Sequence, residues 1–323
     1  MTQNHLSSTL ESQQNWLITT HKGPDGDAVG SVVAWAAYAK RCNKNYLILF
    51  PDQPAAYLCP FLDAFNWEVF DVNKAYHFDL LFALDYNAPS RVGQDMSAFV
   101  ANFPAVKVMM DHHPGPEDFC QITVSNPTAC STTEVIYQTL EMLGQLDQID
   151  LAVAKGLYLG LLTDTGSFRF PSVSAQTHKM AAHLLELGLE HHLIHEAIFD
   201  VNSVTRLQLR GYAIAEKLQL YPNHRIGIMS LRKEDLKRFD YQKGDTEGLV
   251  NVILSIEGYD LGVFLMETEE GVKLSFRSKG QRYVNTFAQA HFNGGGHQYA
   301  AGGFLAADLN TTLAKLESLL VQM

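Results

Sequence analysis

Three residues within seven positions, His21, Asp25 and Asp27, can bring one imidazole and two carboxylates to a single point of a fold. The same side-chain types recur at Asp85, in the run Asp111-His112-His113, and at Asp164 within Thr163-Asp164-Thr165-Gly166. Counting one imidazole from the histidine pair, the set offers four carboxylates and two imidazoles, with no thiol. Hard or borderline divalent cations such as Mn²⁺ or Mg²⁺ suit such donors better than a structural zinc ion does. Two ions bridged by one carboxylate is the simplest arrangement of this set. The first group also has a plainer reading, a polar turn in which Asp25 and Asp27 cap the helix that follows.

The elements that must position these residues are legible around them. Trp16 to Thr20 is a short apolar run ending at His21; the turn-rich Lys22-Gly23-Pro24-Asp25-Gly26-Asp27 follows, and then a helical stretch from Ala28 to Lys40. Asn45 to Phe50, Leu80 to Asp85 and Ala105 to Met110 are further apolar runs of the kind that form buried parallel strands. In an open α/β sheet, ligands bind beyond the carboxyl ends of the strands. His21, Asp85 and Asp111-His112-His113 would all stand there. Asp164 follows a helix expected over Leu151 to Thr163, where the dipole disfavours a carboxylate unless a cation compensates it. A further helix is expected from Ala175 to Leu187, ended by Gly188.

Beyond Gly188 the chain changes character, so residues 1–188 are read as one domain, 189–222 as a helical connection and 223–323 as a second domain. In the last third, Tyr259 to Thr268 and Val272 to Ser278 flank Glu269-Glu270-Gly271, a hairpin signal. Val272, Leu274 and Phe276 then share one face, and Lys273, Ser275 and Arg277 the other. The planar fork of Arg277 suits a terminal phosphate. Gly294 to Gly296, beside His297, would let backbone N–H groups approach an anionic oxygen, although a glycine run is more often a plain turn. His191, His192 and His195 place imidazoles one helical turn apart, but no HExxH pattern accompanies them and a solvated helix face is the simpler reading.

Composition bounds the function classes. With 46% hydrophobic and 18% charged residues the chain can bury two cores, and its length of 323 residues favours two domains. A formal charge of −11 argues against tight binding of long duplex DNA, which depends on cationic contacts. Cys42, Cys59, Cys120 and Cys130 fit neither a disulfide framework nor a zinc knuckle, which points to a reducing interior. The polar start lacks the pattern of a secretory signal, and no apolar run approaches the ~20 residues that span a bilayer. A cytoplasmic protein is expected.

The segment His21-Lys22-Gly23-Pro24-Asp25-Gly26-Asp27-Ala28-Val29-Gly30-Ser31, then Asp85, Asp111-His112-His113 and Asp164-Thr165-Gly166, resembles in order and spacing the four motifs of the DHH phosphoesterase superfamily. Phe276-Arg277-Ser278 and Gly294-Gly295-Gly296-His297-Gln298-Tyr299-Ala300-Ala301-Gly302-Gly303 resemble the substrate-binding motifs of the DHH-associated domain. The short two-domain layout is similar to the group of bifunctional oligoribonucleases and 3′-phosphoadenosine 5′-phosphate phosphatases, rather than to the longer RecJ-type exonucleases.

The resemblance implies an α/β fold: a parallel-sheet N-terminal domain joined by helices to a smaller α/β domain, with the active site in the cleft between them. It implies two divalent ions, Mn²⁺ or else Mg²⁺, one held by His21, Asp25 and Asp85 and the other by Asp27, Asp85, His112 and Asp164. His113 would orient the phosphate or assist the leaving oxygen, and Asp111 would hydrogen-bond a ligand imidazole. Arg277, Ser278, Gly294, Gly295, Gly296 and His297 would hold the substrate. Lys22-Gly23 departs from the small polar residue expected before Pro24, which leaves the ligand set intact but alters the surroundings of a phosphate. The implied activity is hydrolysis of phosphate esters of short oligoribonucleotides and of 3′-phosphoadenosine 5′-phosphate. Expected partners are a small nucleotide or short single-stranded RNA, without long duplex or membrane, and the layout is compatible with a homodimer. A linear or cyclic dinucleotide phosphodiesterase remains open on the same metal core. An inorganic pyrophosphatase or exopolyphosphatase has less need of the glycine-rich pocket, and six intact ligand positions weigh against a non-catalytic nucleotide-binding regulator.

Overall fold

Short apolar runs without polar alternation make strands that are covered on both faces. In a computed structural model describing residues 2–319, they form β1 (Asn15–Thr19), β2 (Asn45–Phe50), β3 (Trp67–Val69), β4 (Leu80–Leu84), β5 (Val106–Asp111) and β6 (Ile122–Ser125). All pair in parallel, in the order β3-β2-β1-β4-β5-β6. The helices of this unit are α1 (Thr2–Ser12), α2 (Gly26–Arg41), α3 (Gln94–Ala101), α4 (Thr132–Met142), α5 (Leu151–Asp164), α6 (Ala175–Glu186) and α7 (His191–Phe199). Alternate strand residues serve opposite layers. Trp16, Ile18, Phe82 and Met110 pack with Val32, Trp35, Ile136 and Leu157 of α2, α4 and α5. Leu17, Leu81 and Met109 pack with Met96 and Val100 of α3.

The strand order reverses between β1 and β4, the switch point where ligands bind in doubly wound sheets. His21 follows β1 and Asp85 follows β4, so the topology alone carries both to that point. The first unit also contains an unusually close helix crossing. A Cβ on Gly30 of α2 would lie 2.6 Å from the carbonyl oxygen of Gly156 in α5, so backbone meets backbone there. That contact sets Asp27, on the first turn of α2, against the end of α5 that finishes in Asp164.

The chain divides between Val201 and Asn202 into two compact units. The segment 189–222 is accordingly shared: Ile194 of α7 enters the core of the first unit, whereas Leu209 and Ala213 of α8 (Val204–Glu216) enter a core of the second. The second unit continues with β7 (Leu218–Tyr221), β8 (Ile226–Leu231), α9 (Lys233–Arg238), α10 (Leu249–Leu254), β9 (Leu261–Glu267) and β10 (Val272–Ser278). It ends with α11 (Asn285–His291), β11 (Gly295–His297), β12 (Ala300–Leu305) and α12 (Leu309–Ser318). Its sheet runs β11-β12-β10-β9-β8-β7, parallel only between β8 and β9. On β10, Val272, Leu274 and Phe276 are buried beneath α11 and α12, while Lys273, Ser275 and Arg277 alternate onto the other face. No helix among the described residues is long and apolar enough to cross a membrane.

Candidate metal centre and phosphate site

His21 leaves β1 with its ring Nδ1 3.0 Å from the carbonyl oxygen of Lys22. A carbonyl only accepts, so Nδ1 carries the proton, and Nε2 faces Asp85 Oδ2 at 3.3 Å and Asp25 Oδ1 at 3.9 Å. His112 repeats the arrangement. Its Nδ1 lies 3.4 Å from the carbonyl oxygen of Ala129, and its Nε2 faces Asp164 Oδ2 at 3.4 Å, Asp85 Oδ1 at 3.7 Å and Asp27 Oδ2 at 3.9 Å. Two imidazoles, each oriented by a backbone carbonyl and each presenting Nε2 to carboxylates, are arranged as metal-binding histidines are. Asp85 stands in both groups and turns a different oxygen to each ring.

The charges at this point are held at a cost. Asp27 is fully buried, and burial together with the neighbouring charges of Asp85, Asp164 and Asp25 pushes its carboxyl well above the usual range. Burial also opposes ionisation of Asp85, but the hydrogen bond from His21 and the charges of His21, His113 and His112 outweigh it and hold that carboxyl low. At His21, burial disfavours the imidazolium, yet the hydrogen bond to Asp85 and the charges of Asp25 and Asp85 raise its pKa to about 9. Burial lowers that of His112. Several carboxylates meeting in a buried place, with oxygen and imidazole donors and no thiol, fit divalent cations, which would replace these protons as the positive charge.

Backbone and hydroxyl donors at the start of α4 hold two buried acids of the cluster, Asp27 and Asp85. Ser131 caps this helix, accepting from the backbone N–H of Glu134. The N–H of Thr132 donates to Asp27 Oδ2 at 2.6 Å and that of Thr133 to Asp27 Oδ1 at 3.1 Å, while the Thr132 hydroxyl donates to Asp85 Oδ1 at 2.8 Å. Carboxylates are stabilised at a helix N-terminus, where N–H groups lack intrahelical partners. The sequence reading missed Thr132 and Thr133. Its available signal was Ser131-Thr132-Thr133-Glu134, which has the S-x-x-E form of a helix start. It also missed Gly160, where any Cβ would collide with Asp27 Oδ1 and with Thr133.

Asp111 is fully buried and holds His113, accepting from its backbone N–H at 2.9 Å and from its ring Nδ1 at 2.8 Å. The imidazole oriented by Asp111 is thus that of His113, whereas the carbonyl of Ala129 orients His112. Burial alone would lower the pKa of His113, but the bond to Asp111 and the charges of Asp85 and Asp111 raise it. The ring stands 3.7 Å from Asp85 Oδ1, at the edge of the acidic group.

In the second unit Arg277 is half-buried on β10, with Nη1 donating to the carbonyl of Phe276. Ser278 is buried, and its hydroxyl donates to the carbonyl of Arg282 at 2.5 Å, so it fixes the loop after β10. The three glycines differ. A Cβ on Gly294 would strike the carbonyl of Gly302, and one on Gly296, whose φ is +137°, would lie 2.5 Å from that of Ala300. Both are required for the close β11–β12 pairing. Gly295 is exposed with open space beside it, and His297 pairs with Ala300 at the end of β11.

Residues 15–161 match the DHH family, N-terminal domain, and residues 228–322 match the DHHA1 domain. The chain is 31% identical to the bifunctional oligoribonuclease and PAP phosphatase NrnA of Thermus thermophilus, over 89% of this chain and 83% of that protein. It is 25% identical to the protein of the same name from Bacillus subtilis, over 97% of each. The structure of an exopolyphosphatase-related protein from Bacteroides fragilis superposes with a TM-score of 0.93 at 32% identity, covering 99% of this chain and 95% of that one. Both units, with the acid and imidazole cluster of one and the arginine and glycine motifs of the other, fall within these likenesses; the chain belongs to the DHH family, carries a DHHA1 domain, and is a phosphoester hydrolase.

Proposed function

We propose that this chain hydrolyses phosphate esters of short oligoribonucleotides and of 3′-phosphoadenosine 5′-phosphate with two divalent ions, Mn²⁺ or Mg²⁺. The observation that carries the two-ion reading is Asp85, whose Oδ2 faces His21 and whose Oδ1 faces His112. His21, Asp25 and Asp85 would hold one ion, and Asp27, Asp85, His112 and Asp164 the other. When bound, such a pair supplies a nucleophilic water at neutral pH and offsets the charge that grows in an in-line displacement.

The remaining work falls to the chain's own groups. His113, fixed by Asp111, is placed to donate a proton to the departing ester oxygen. Arg277 grips a terminal phosphate through its planar fork, and the backbone at Gly295 approaches it without a side chain in the way. His297, at the end of the same strand as Gly295, is a further contact, and Ser278 holds the loop that follows Arg277. The first unit therefore supplies chemistry and the second supplies recognition. The nucleotide part of the proposal is supported by the names of the Thermus and Bacillus relatives and by the net charge of −11, which suits a small substrate better than a long strand. Four free cysteines suit a reducing, cytoplasmic setting.

Turnover of 3′-phosphoadenosine 5′-phosphate, a two-nucleotide RNA, a cyclic dinucleotide and pyrophosphate, measured side by side with Mn²⁺, tests the assignment. The first two should be the best substrates. Preference for pyrophosphate or the cyclic dinucleotide would overturn it.

A further inference from the structure

We propose that Thr132 is a positioning residue that fixes how Asp85 is shared between two ions, and that retention of one of those ions depends on its hydroxyl; the inference rests on the two-ion reading above. Asp85 needs such a guide. It follows β4 with φ at +65°, a left-handed conformation that costs a non-glycine residue energy and persists only where its surroundings impose it. Its backbone is tied to β5 by a hydrogen bond from its N–H to the carbonyl of Met110 at 3.1 Å. The carboxylate could still rotate about its own bond, exchanging the oxygens that face the two imidazoles.

The Thr132 hydroxyl removes that freedom. It donates to Oδ1 at 2.8 Å, the oxygen that lies 3.7 Å from both His112 Nε2 and His113 Nδ1, and leaves Oδ2 toward His21. Thr132 cannot itself drift, because its N–H is bonded to Asp27 Oδ2 at 2.6 Å and its side chain is fully buried. One residue thereby ties together two like-charged carboxylates from different elements, Asp27 on α2 and Asp85 after β4. Hydrogen-bond partners of metal ligands typically contribute about 10–100-fold in metal affinity. Replacement of threonine by valine removes the hydroxyl while keeping the β-branched shape, a methyl group taking its place.

The test uses the full chain in three forms: wild type, Thr132→Val and Thr132→Ser. Calorimetric titration with Mn²⁺ counts ions and measures their affinities, and electron paramagnetic resonance reports whether two Mn²⁺ ions are magnetically coupled. Wild type and the serine variant should bind two coupled ions. The valine variant should bind one of them about 10–100-fold more weakly and show the spectrum of isolated ions at limiting Mn²⁺. Thr132→Ala supplies the same reading if the methyl group of valine disturbs the start of α4. Two coupled ions held at wild-type affinity by the valine or alanine variant would overturn the proposal, and so would failure of serine to rescue, since packing would then be the cause. A wild type that binds a single ion, or two uncoupled ions, would overturn the two-ion reading and this proposal with it.

Discussion

Gly160 leaves the space that Asp27 Oδ1 occupies: a Cβ at that position of α5 would collide with the carboxylate oxygen and with the side chain of Thr133. A missing side chain on one helix thus decides where the acid on another helix can stand. Gly160→Ala should destabilise the fold by about 1–3 kcal/mol, the usual cost of overpacking, and displace Asp27 from the N–H groups of Thr132 and Thr133. Denaturant unfolding and Mn²⁺ titration check it together. A variant with unchanged stability and unchanged metal binding would show that the helices part without consequence.

Asp85 is placed toward both imidazoles that leave Nε2 to the cluster. Asp85→Asn keeps the shape and tolerates the left-handed backbone, so the fold should remain while bound metal falls and hydrolysis drops by at least ~100-fold. Metal analysis and circular dichroism of the purified variant measure both sides. Wild-type turnover by Asp85→Asn would be incompatible with a bridging role.

These residues were legible in the sequence because each carries its chemistry in its own side chain and stands at the end of an apolar run. Thr132, Thr133 and Gly160 were not, because the first two act through backbone N–H groups and, at Thr132, an unremarkable hydroxyl, and the third acts through the absence of a Cβ. Spacing also could not tell His112 from His113. Successive residues at a strand end point in different directions, and only the fold shows that Asp111 holds the second ring and the Ala129 carbonyl the first. Strand β12 escaped notice since Gly302 and Gly303 interrupt its apolar pattern. The division of the 189–222 segment was hidden for a related reason: α7 and α8 are both amphipathic, and amphipathicity reveals a buried face without revealing which core receives it.

Arg277 lies on β10 in the second unit, far along the chain from every acid and imidazole of the cluster. Arg277→Ala should raise KM or lower kcat/KM by about 10-fold or more while leaving metal content unchanged, the signature of lost substrate binding. A fall in metal occupancy with unchanged KM would break the division of labour between the two units.

The glycine run offers a comparison in which two neighbours should behave differently. Gly294→Ala forces a Cβ into the carbonyl of Gly302 and should weaken the β11–β12 pairing, seen as a lower Tm. Gly295→Ala meets open space and should leave Tm within a few degrees, yet raise KM because a methyl group then stands where the substrate approaches. If Gly295→Ala has wild-type KM, the backbone there does not meet the ligand.

Substrate length follows from charge. A protein that tracks a long single strand needs many cationic contacts, and its affinity falls steeply with salt because each neutralised phosphate releases counterions. This chain carries a formal charge of −11, and the basic residues of α9 are interleaved with Glu234 and Asp235, with Lys233 paired to Glu269 at 3.0 Å. Arg225 and Arg282 are likewise held by Asp260, at 3.0 and 3.2 Å. Cations already committed to carboxylates contribute little to a continuous phosphate track, whereas gripping one terminal phosphate with Arg277 and a glycine-rich backbone needs few of them. Efficiency should therefore be highest for substrates of a few nucleotides or fewer, decline as the RNA lengthens, and change only mildly between low and physiological salt. A ladder of RNAs from the dinucleotide upward, assayed for kcat/KM at two ionic strengths, measures this directly. Efficiency that rises with length and collapses with salt would instead require a basic track, and Lys233, Arg225 and Arg282 would have to be open to the strand.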